Sequence, residues 1–211
     1  MKKDEKFVLW RGLDQLFIAE VLTDDNELES GYTTGTPEKL IPAGEMGVAP
    51  DSEVANVFYD NGVFATVGRE GATEISISGA GLRAAMLAKL NGKDIDEDTG
   101  AVLDSGTYTE KYFAFGGRKK GLDGSYEYFW FNKGTFSVPE ENSKTEDDST
   151  DTNGSDLTYT AIPTKHKFTK TSKVSKRVVM DDAITGKTKQ VDFSKWFDNV
   201  VTPDNIPTVG E

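Results

Sequence analysis

Cysteine is absent from this chain of 211 residues. That excludes disulfides, thiolate nucleophiles and cysteine-based zinc sites together. The fold must be held by packing, or by assembly with copies of itself, and it suits a protein made in a reducing cytosol. Histidine occurs once, at His166, where a histidine metal cage would need several such ligands. Long apolar runs are missing too, and none approaches the ~18–20 residues of a membrane-spanning helix. The N-terminal MKKDEKFVLWRGL has basic residues but no apolar stretch of leader length, so a secretory leader is not expected. Positive charge is in deficit, with 24 basic against 36 acidic residues and a net −12 at pH 7. A polyanion repels the phosphate backbone, which disfavours ordinary nucleic-acid binding but is compatible with letting DNA pass without sticking.

What is present is β patterning. WRGLDQLFIAEVLTDD puts Leu16 and Ile18 on one face of an extended chain and Phe17, Ala19 and Val21 on the other, which predicts a strand buried on both faces. Residues 26–44, rich in Thr, Gly, Glu and Pro, read as a long loop or an irregular hairpin. Val54, Val57, Phe58 and Tyr59 lead into Asp60-Asn61-Gly62, and Val63, Phe64 and Val67 follow; Asn-Gly between two apolar runs predicts a hairpin. Residues 74–78 alternate with period two, as a half-buried strand does. Leu82, Ala85, Met86 and Leu90 repeat at helical spacing before Asn91-Gly92, which predicts one helix over 82–91. Residues 92–106 read as loop, TYTEKYFAFGG as strand, and 118–124 as a turn. YEYFWFNKGTFS and LTYTAIPT read as further strands. Between them, 139–156 carries seven acids and one lysine and reads as an exposed acidic loop. A hairpin around Gly186, apolar anchors at Phe193, Trp196 and Phe197, and a C-terminal arm over 198–211 complete the chain.

Three segments imitate catalytic or binding motifs. Gly79-Ala80-Gly81-Leu82-Arg83-Ala84 matches G-x-G-x-x-A between a strand and a helix, but no parallel strand ending in an acid follows. Glycines serving a strand-to-helix turn are the default reading. Asp94, Asp96 and Asp98 imitate the start of a calcium loop, yet Thr99 and Ser105 stand where it needs Gly and a bidentate Glu. His166 sits among Lys and Thr with no nucleophile motif in the chain, and reads as a polar residue on a strand. The paired carboxylates of 139–156 lie in a solvated run, the opposite of an environment that splits pKa values. No enzyme is expected.

In YEYFWFNKGTFS, Tyr126, Tyr128 and Trp130 share one face, and Phe129 and Phe131 share the other with Glu127. An RRM-type platform keeps its rings on one open face beside basic residues. Rings on both faces predict a strand covered on both sides, by a core and by either the helix or a neighbouring subunit. The run 165–177 holds six Lys or Arg and no acid. It reads as a phosphate-binding strip or as partner to the acidic loop, in head-to-tail contact between copies.

Taken in order, GLDQLFIAEVLTDD, YDNGVFATV, the alternating strand with LRAAMLAKLNG, YFAFGGRKK and GSYEYFWFNKGTFSVPEENSKTEDD resemble the major tail proteins (tail tube proteins) of long-tailed, non-contractile bacteriophages, the siphophages. The matching features are the turn Tyr59, Asp60, Asn61, Gly62, the ring-rich strand 126–131, a Lys-Gly-x-Phe turn at 133–136, and Pro-Glu-Glu at 139–141 before a Thr-rich loop. The resemblance covers roughly 10–160, and the longer acidic loop and everything beyond 165 depart from it.

The resemblance implies one tail-tube domain over 1–211, mostly β. It would be an antiparallel β-sandwich or half-barrel with one flanking α-helix, whose hairpins complete an inner β-barrel on ring assembly. It implies hexameric rings stacked into a hollow tube that conducts the genome, with no catalytic residue, no cofactor, no metal and no membrane. The implied partners are further copies, tape measure protein, tail terminator and baseplate proteins. DNA would pass through the lumen without sequence-specific binding. The protein would be made in the host cytoplasm and reside in the virion. Contacts between subunits or rings are expected at Tyr59, Asp60, Asn61 and Gly62 and at Lys165, Lys167, Lys170 and Lys173. The acids are expected to face the lumen, and 26–44, 139–156 and the C-terminal arm to order between rings. The alternative is a carbohydrate- or receptor-binding β-sandwich that uses exposed Tyr and Trp of the aromatic strand as a sugar platform.

Overall fold

The short, strongly β-favouring runs of the sequence do form strands, and they join mainly through antiparallel ladders. The computed structural model describes residues 7–26, 31–59, 61–107, 109–137, 154–184 and 188–210. In chain order its elements are β1 (Trp10–Asp24), β2 (Tyr32–Thr34), β3 (Glu38–Lys39), β4 (Ala43–Tyr59), β5 (Gly62–Ala80), α1 (Ala84–Leu90), β6 (Asp94–Ile95), β7 (Val102–Leu103), β8 (Phe113–Gly121), β9 (Tyr126–Phe136), β10 (Gly154–Ala161) and β11 (Arg177–Asp181). A 3-10 turn, Phe193–Lys195, follows. The fold is a mostly antiparallel β-sandwich with one helix. Its main sheet runs β2-β1-β8-β9-β10-β5-β4, with β3 added to β1 and β11 to β9, and β6 pairs with β7 apart from it.

Two apolar layers sandwich the centre of this sheet. One unites Leu16 and Ile18 of β1, Phe113 and Phe115 of β8, Phe129 and Phe131 of β9, Ile75 and Ile77 of β5, and Leu157 and Tyr159 of β10. Leu82, Met86, Leu87 and Leu90 of the α1 region close it. The second layer joins Ala19, Ala114, Tyr128 and Trp130 to Trp196, Val200 and Val201. β1 is thus buried on both faces in the alternation its sequence predicts. A bulge at Gln15 (φ 52°) separates the pairs Asp14↔Arg118 and Phe17↔Gly116 and bends the strand.

Several boundaries differ from the sequence reading, each for a physical reason. Residues 26–44 hold β2 and β3, because Thr33, Thr34 and Lys39 find ladder partners on β1. The helix begins at Ala84, two residues late, because Arg83 keeps an extended backbone (ψ 148°) as its N-cap, and the Leu82 N–H before it donates to the Ser155 hydroxyl (3.0 Å). The segment 118–124 is strand as far as Gly121, and only the turn to Ser125 is tight. The Lys-Gly-x-Phe stretch at 133–136 is not a turn: it continues β9 and pairs with β10. Residues 154–156 belong to β10 rather than to the acidic loop, most of which lies outside the described residues, as does the turn around Gly186. The segment 198–210 is no free arm. Val200, Val201 and Thr202 are buried, and Val191 bridges Thr208, because this segment supplies the second apolar layer.

Candidate assembly surfaces

The β4–β5 hairpin is longer than its sequence suggests. Residues 74–78 are not a separate strand but the root of β5, which pairs with β4 from Ala43↔Gly79 to Tyr59↔Gly62. At the turn, Asn61 takes φ 65°, a left-handed conformation that Asn tolerates better than most residues. Asp60 lies outside the described residues. From Thr73 to Ala80, β5 also pairs with β10, but beyond Thr73 it has only β4. The eight ladder pairs from Ser52↔Glu70 to Tyr59↔Gly62 therefore stand clear of the sheet, a ribbon of roughly 25 Å at strand rise.

Every described side chain from Asp51 to Glu70 except Ala65 is exposed. Val54, Phe58 and Val63 are 66%, 65% and 55% exposed on one face, and Tyr59 and Phe64 63% and 74% on the other. Tyr59 and Phe64 meet edge to face with centroids 5.2 Å apart. The apolar runs beside Asn-Gly mark the hairpin in sequence. In the single chain they are exposed on both sides. Strand β4 is also the sheet edge along its 17 residues. Near its middle the edge is interrupted by Pro50, which offers no N–H, and by a bulge between Pro50 and Ser52.

Where β4, β5 and β10 lie side by side, cross-strand partners share a face. Asp156↔Ser78↔Glu45, Thr158↔Ser76↔Gly47 and Thr160↔Glu74↔Ala49 make one such face, opposite Ile75, Ile77, Leu157 and Tyr159. It is wet, carries acids and hydroxyls, and has no Lys or Arg among these positions.

Lys165, Lys167, Lys170 and Lys173 of the basic run lie elsewhere, on the loop between β10 and β11, and share no element with Tyr59–Gly62. The loop's shape is set by its backbone. Asp24, at the end of β1, accepts the N–H of Lys165 (2.8 and 2.9 Å) and of His166 (2.9 Å). Asn26 accepts the N–H of Lys167 (2.7 Å), and Asp204 accepts those of Thr169 and Lys170 (both 2.8 Å). Phe168 bridges Lys173 across a turn in which Ser172 has φ 54°. His166 is therefore on a pinned loop, not a strand, with Nδ1 3.3 Å from the Asp25 carbonyl oxygen.

Asp24 also takes the buried Lys133 ammonium at 2.7 Å, which lies 4.4 Å from the centroid of the Tyr112 ring. Burial pulls the Asp24 pKa upward, but the Lys133 hydrogen bond and the two backbone N–H groups outweigh it and hold the carboxyl below its ordinary value. Tyr32 nearby donates its hydroxyl to the Asn132 carbonyl, and burial with the Asp24 charge raises its pKa. Sequence reading missed Asp24 and Asp204 as supports for the loop. No local motif links them to positions more than 30 residues away in the chain.

Lys165, Lys167, Lys170 and Lys173 are exposed, and none of their ammonium groups meets a carboxylate among the described residues. The two remaining cations of the run are engaged, Lys176 with Glu70 at the root of the hairpin and Arg177 with Glu127.

The aromatic strand offers no platform. Trp130 is 0% exposed, and Phe129 and Phe131 lie in the first layer. Its Tyr/Trp face packs not on the helix but on the chain's own 193–201 segment. Among the described residues no three His, Asp or Glu converge as a metal site requires. The Asp96 carboxylate is occupied by the N–H groups of Asp98 and Thr99 (both 2.9 Å). Strand β5, before the glycines of G-x-G-x-x-A, is antiparallel to both neighbours, so it has no parallel neighbour of the kind a dinucleotide crevice uses. Nor is any described helix long and apolar enough to cross a membrane. No family model and no curated protein matches the chain.

Proposed function

We propose that the chain is a structural subunit that assembles with its own copies into stacked hexameric rings, the tail tube of a long-tailed, non-contractile bacteriophage. The observation that carries this reading is the β4–β5 hairpin. A two-stranded ribbon with both faces in water is marginal by itself, and this one exposes Val54, Phe58, Tyr59, Val63 and Phe64. The free edge of β4, which runs through the ribbon and on to Ala43 with a break at Pro50, invites another strand. Ring closure answers both needs. Each copy's β4 edge pairs with the next copy, the sheets join into an inner barrel, and the edge disappears.

In that barrel the face bearing Glu45, Glu74, Asp156, Ser76, Ser78, Thr158 and Thr160 turns to the lumen. An acidic, hydroxyl-lined wall repels DNA phosphates, so the genome slides without being held. In this reading no residue does chemistry and no cofactor is needed. The further partners are the tape measure, terminator and baseplate proteins of the same virion. A sugar-binding role loses its support with the burial of Trp130. Electron microscopy of the concentrated, purified protein tests the proposal. Rings or tubes with a central channel are expected, and uniformly monomeric particles would overturn it.

A further inference from the structure

We infer that the loop bearing Lys165, Lys167, Lys170 and Lys173 is the docking surface for the acidic segment 138–153 of a second copy, joining copies head to tail. The inference rests on the self-assembly reading and names one contact within it.

The chain carries two oppositely charged segments, one on each side of β10. The acidic segment joins β10 at Gly154, whose ladder partner is Ala80 at the helix end of β5. The lysine loop leaves β10 after Ala161, whose partner is Thr73 at the hairpin end. Seven residue steps, roughly 23 Å, separate those two junctions. In sequence 138–153 carries Glu140, Glu141, Glu146, Asp147, Asp148 and Asp151 against the single Lys144. The hairpin and the cationic loop thus share one end of the sheet, whereas the acidic segment leaves β9 after Phe136, beside Tyr159, and rejoins the sheet at Gly154 at the other end.

The lysines are presented, not consumed. Five backbone N–H groups of the loop, at 165, 166, 167, 169 and 170, are tied down by Asp24, Asn26 and Asp204. That anchoring fixes the backbone while leaving four ammonium groups exposed and without a carboxylate among the described residues. In a chain of net charge −12 this is a concentrated exception. Opposite charges on two different segments of one molecule, meeting between copies, give a heterologous contact, which adds copies in one direction instead of closing a dimer. Attraction between such ends is screened within about 3 Å at 1 M salt, against about 10 Å at 0.1 M.

The test is a charge swap in the full-length protein. One variant carries Lys165→Glu, Lys167→Glu, Lys170→Glu and Lys173→Glu; the other changes Glu140, Glu141, Glu146, Asp147, Asp148 and Asp151 to Lys. Sedimentation velocity at low and high salt reads association, and tryptophan fluorescence checks the fold. Wild type is expected to associate at low salt, with each variant alone weakened by about tenfold or more. A mixture of the two variants should associate again, which a folding defect could not produce.

Variants that associate alone as well as wild type overturn the inference, including the case in which the acidic segment folds onto its own lysines. Labelled duplex DNA retained by wild type and lost by the lysine variant, with self-association unchanged, also overturns it, in favour of a nucleic-acid surface. The two readings fail separately. Tubes that form regardless of these charges remove the inference alone, and charge-dependent chains without tubes remove the tail-tube reading alone.

Discussion

The indole N–H of Trp130 donates to the backbone carbonyl of Trp196 at 3.1 Å, tying the middle of β9 to the C-terminal segment. Asn132 repeats the device two residues on, its side-chain N–H reaching the Val201 carbonyl at 2.9 Å. The segment has little regular structure, so side chains from β9 satisfy carbonyls that a ladder would otherwise serve. Trp130→Phe removes the donor and leaves the Trp196 carbonyl buried and unpaired, at a cost of about 1–3 kcal/mol beyond the lost ring volume. The urea midpoint should fall with an unchanged m-value. A midpoint equal to wild type would show that the bond does not fasten the segment.

Acid should weaken the end of the molecule that holds the lysine loop. Asp24 in the fold has a pKa below its ordinary value of 3.8. A carboxyl whose pKa is lowered by folding adds stability that is complete above the unfolded value and is lost as pH falls through the folded one. Stability should therefore decline below about pH 4, as the carboxylate releases Lys133 and the N–H groups of Lys165 and His166. Asp24→Asn leaves Lys133 buried without a counter-charge, costing about 3–5 kcal/mol near neutral pH, and should flatten this acid limb. Urea midpoints across the acid range in both proteins measure the difference, and parallel limbs would contradict the assignment.

The sequence shows the local periodicities but not the long-range partners. Alternation at 16–21 and 126–131 correctly places apolar residues on both faces of β1 and β9, because period two is a property of the strand itself. The cover on the Tyr/Trp face was not legible. It comes from Trp196, which read as an apolar anchor with no partner in view, and from Val200 and Val201 of the segment 198–211, which read as an arm, all at least 65 residues away. The turn at Asn61-Gly62 was legible as a hairpin, but its length was not, since Gly68 and Gly71 interrupt the apolar pattern that the ladder itself crosses. The lysines stood out as a basic run, whereas Asp24 and Asp204, which shape their loop, are single acids among 36 acidic residues.

Gly134 illustrates the same limit and makes a sharp test. Within 133–136 it suggests a turn, yet it lies in β9 opposite Ala161. A Cβ there would stand 2.4 Å from the Thr160 carbonyl oxygen and 2.5 Å from the Tyr159 ring. Tyr159 cannot yield freely, because it is fully buried and its hydroxyl donates to the Phe113 carbonyl at 2.7 Å. Gly134→Ala should cost about 1–3 kcal/mol through overpacking. Gly124→Ala, with nothing within 4 Å but φ 89°, separates backbone strain from crowding. Tyr159→Phe removes the hydroxyl contact together with the bond to Phe113, so the double variant is compared with Tyr159→Phe alone, and most of the Gly134→Ala penalty should persist if the ring and the carbonyl oxygen carry it.

The hairpin should be dispensable for the folded monomer and required for assembly. Phe58 and Phe64 are 65% and 74% exposed, so Phe58→Ser with Phe64→Ser should change monomer stability by no more than about 0.5 kcal/mol. The same pair should abolish rings and tubes in electron micrographs if the apolar tip is buried between copies. Asn61→Val acts on the turn instead, since a β-branched residue at φ 65° costs about 1–2 kcal/mol, while Asn61→Gly keeps the geometry. Hydrogen exchange links the two effects. In the monomer, amides of 52–59 and 62–69 should exchange quickly, because beyond the Lys176–Glu70 pair at its root the ribbon is held only by its own ladder. In the assembled protein they should become protected, and the double serine variant should stay unprotected at any concentration. Equal protection in monomer and assembly would mean that the hairpin is stable without a partner and that copies join elsewhere.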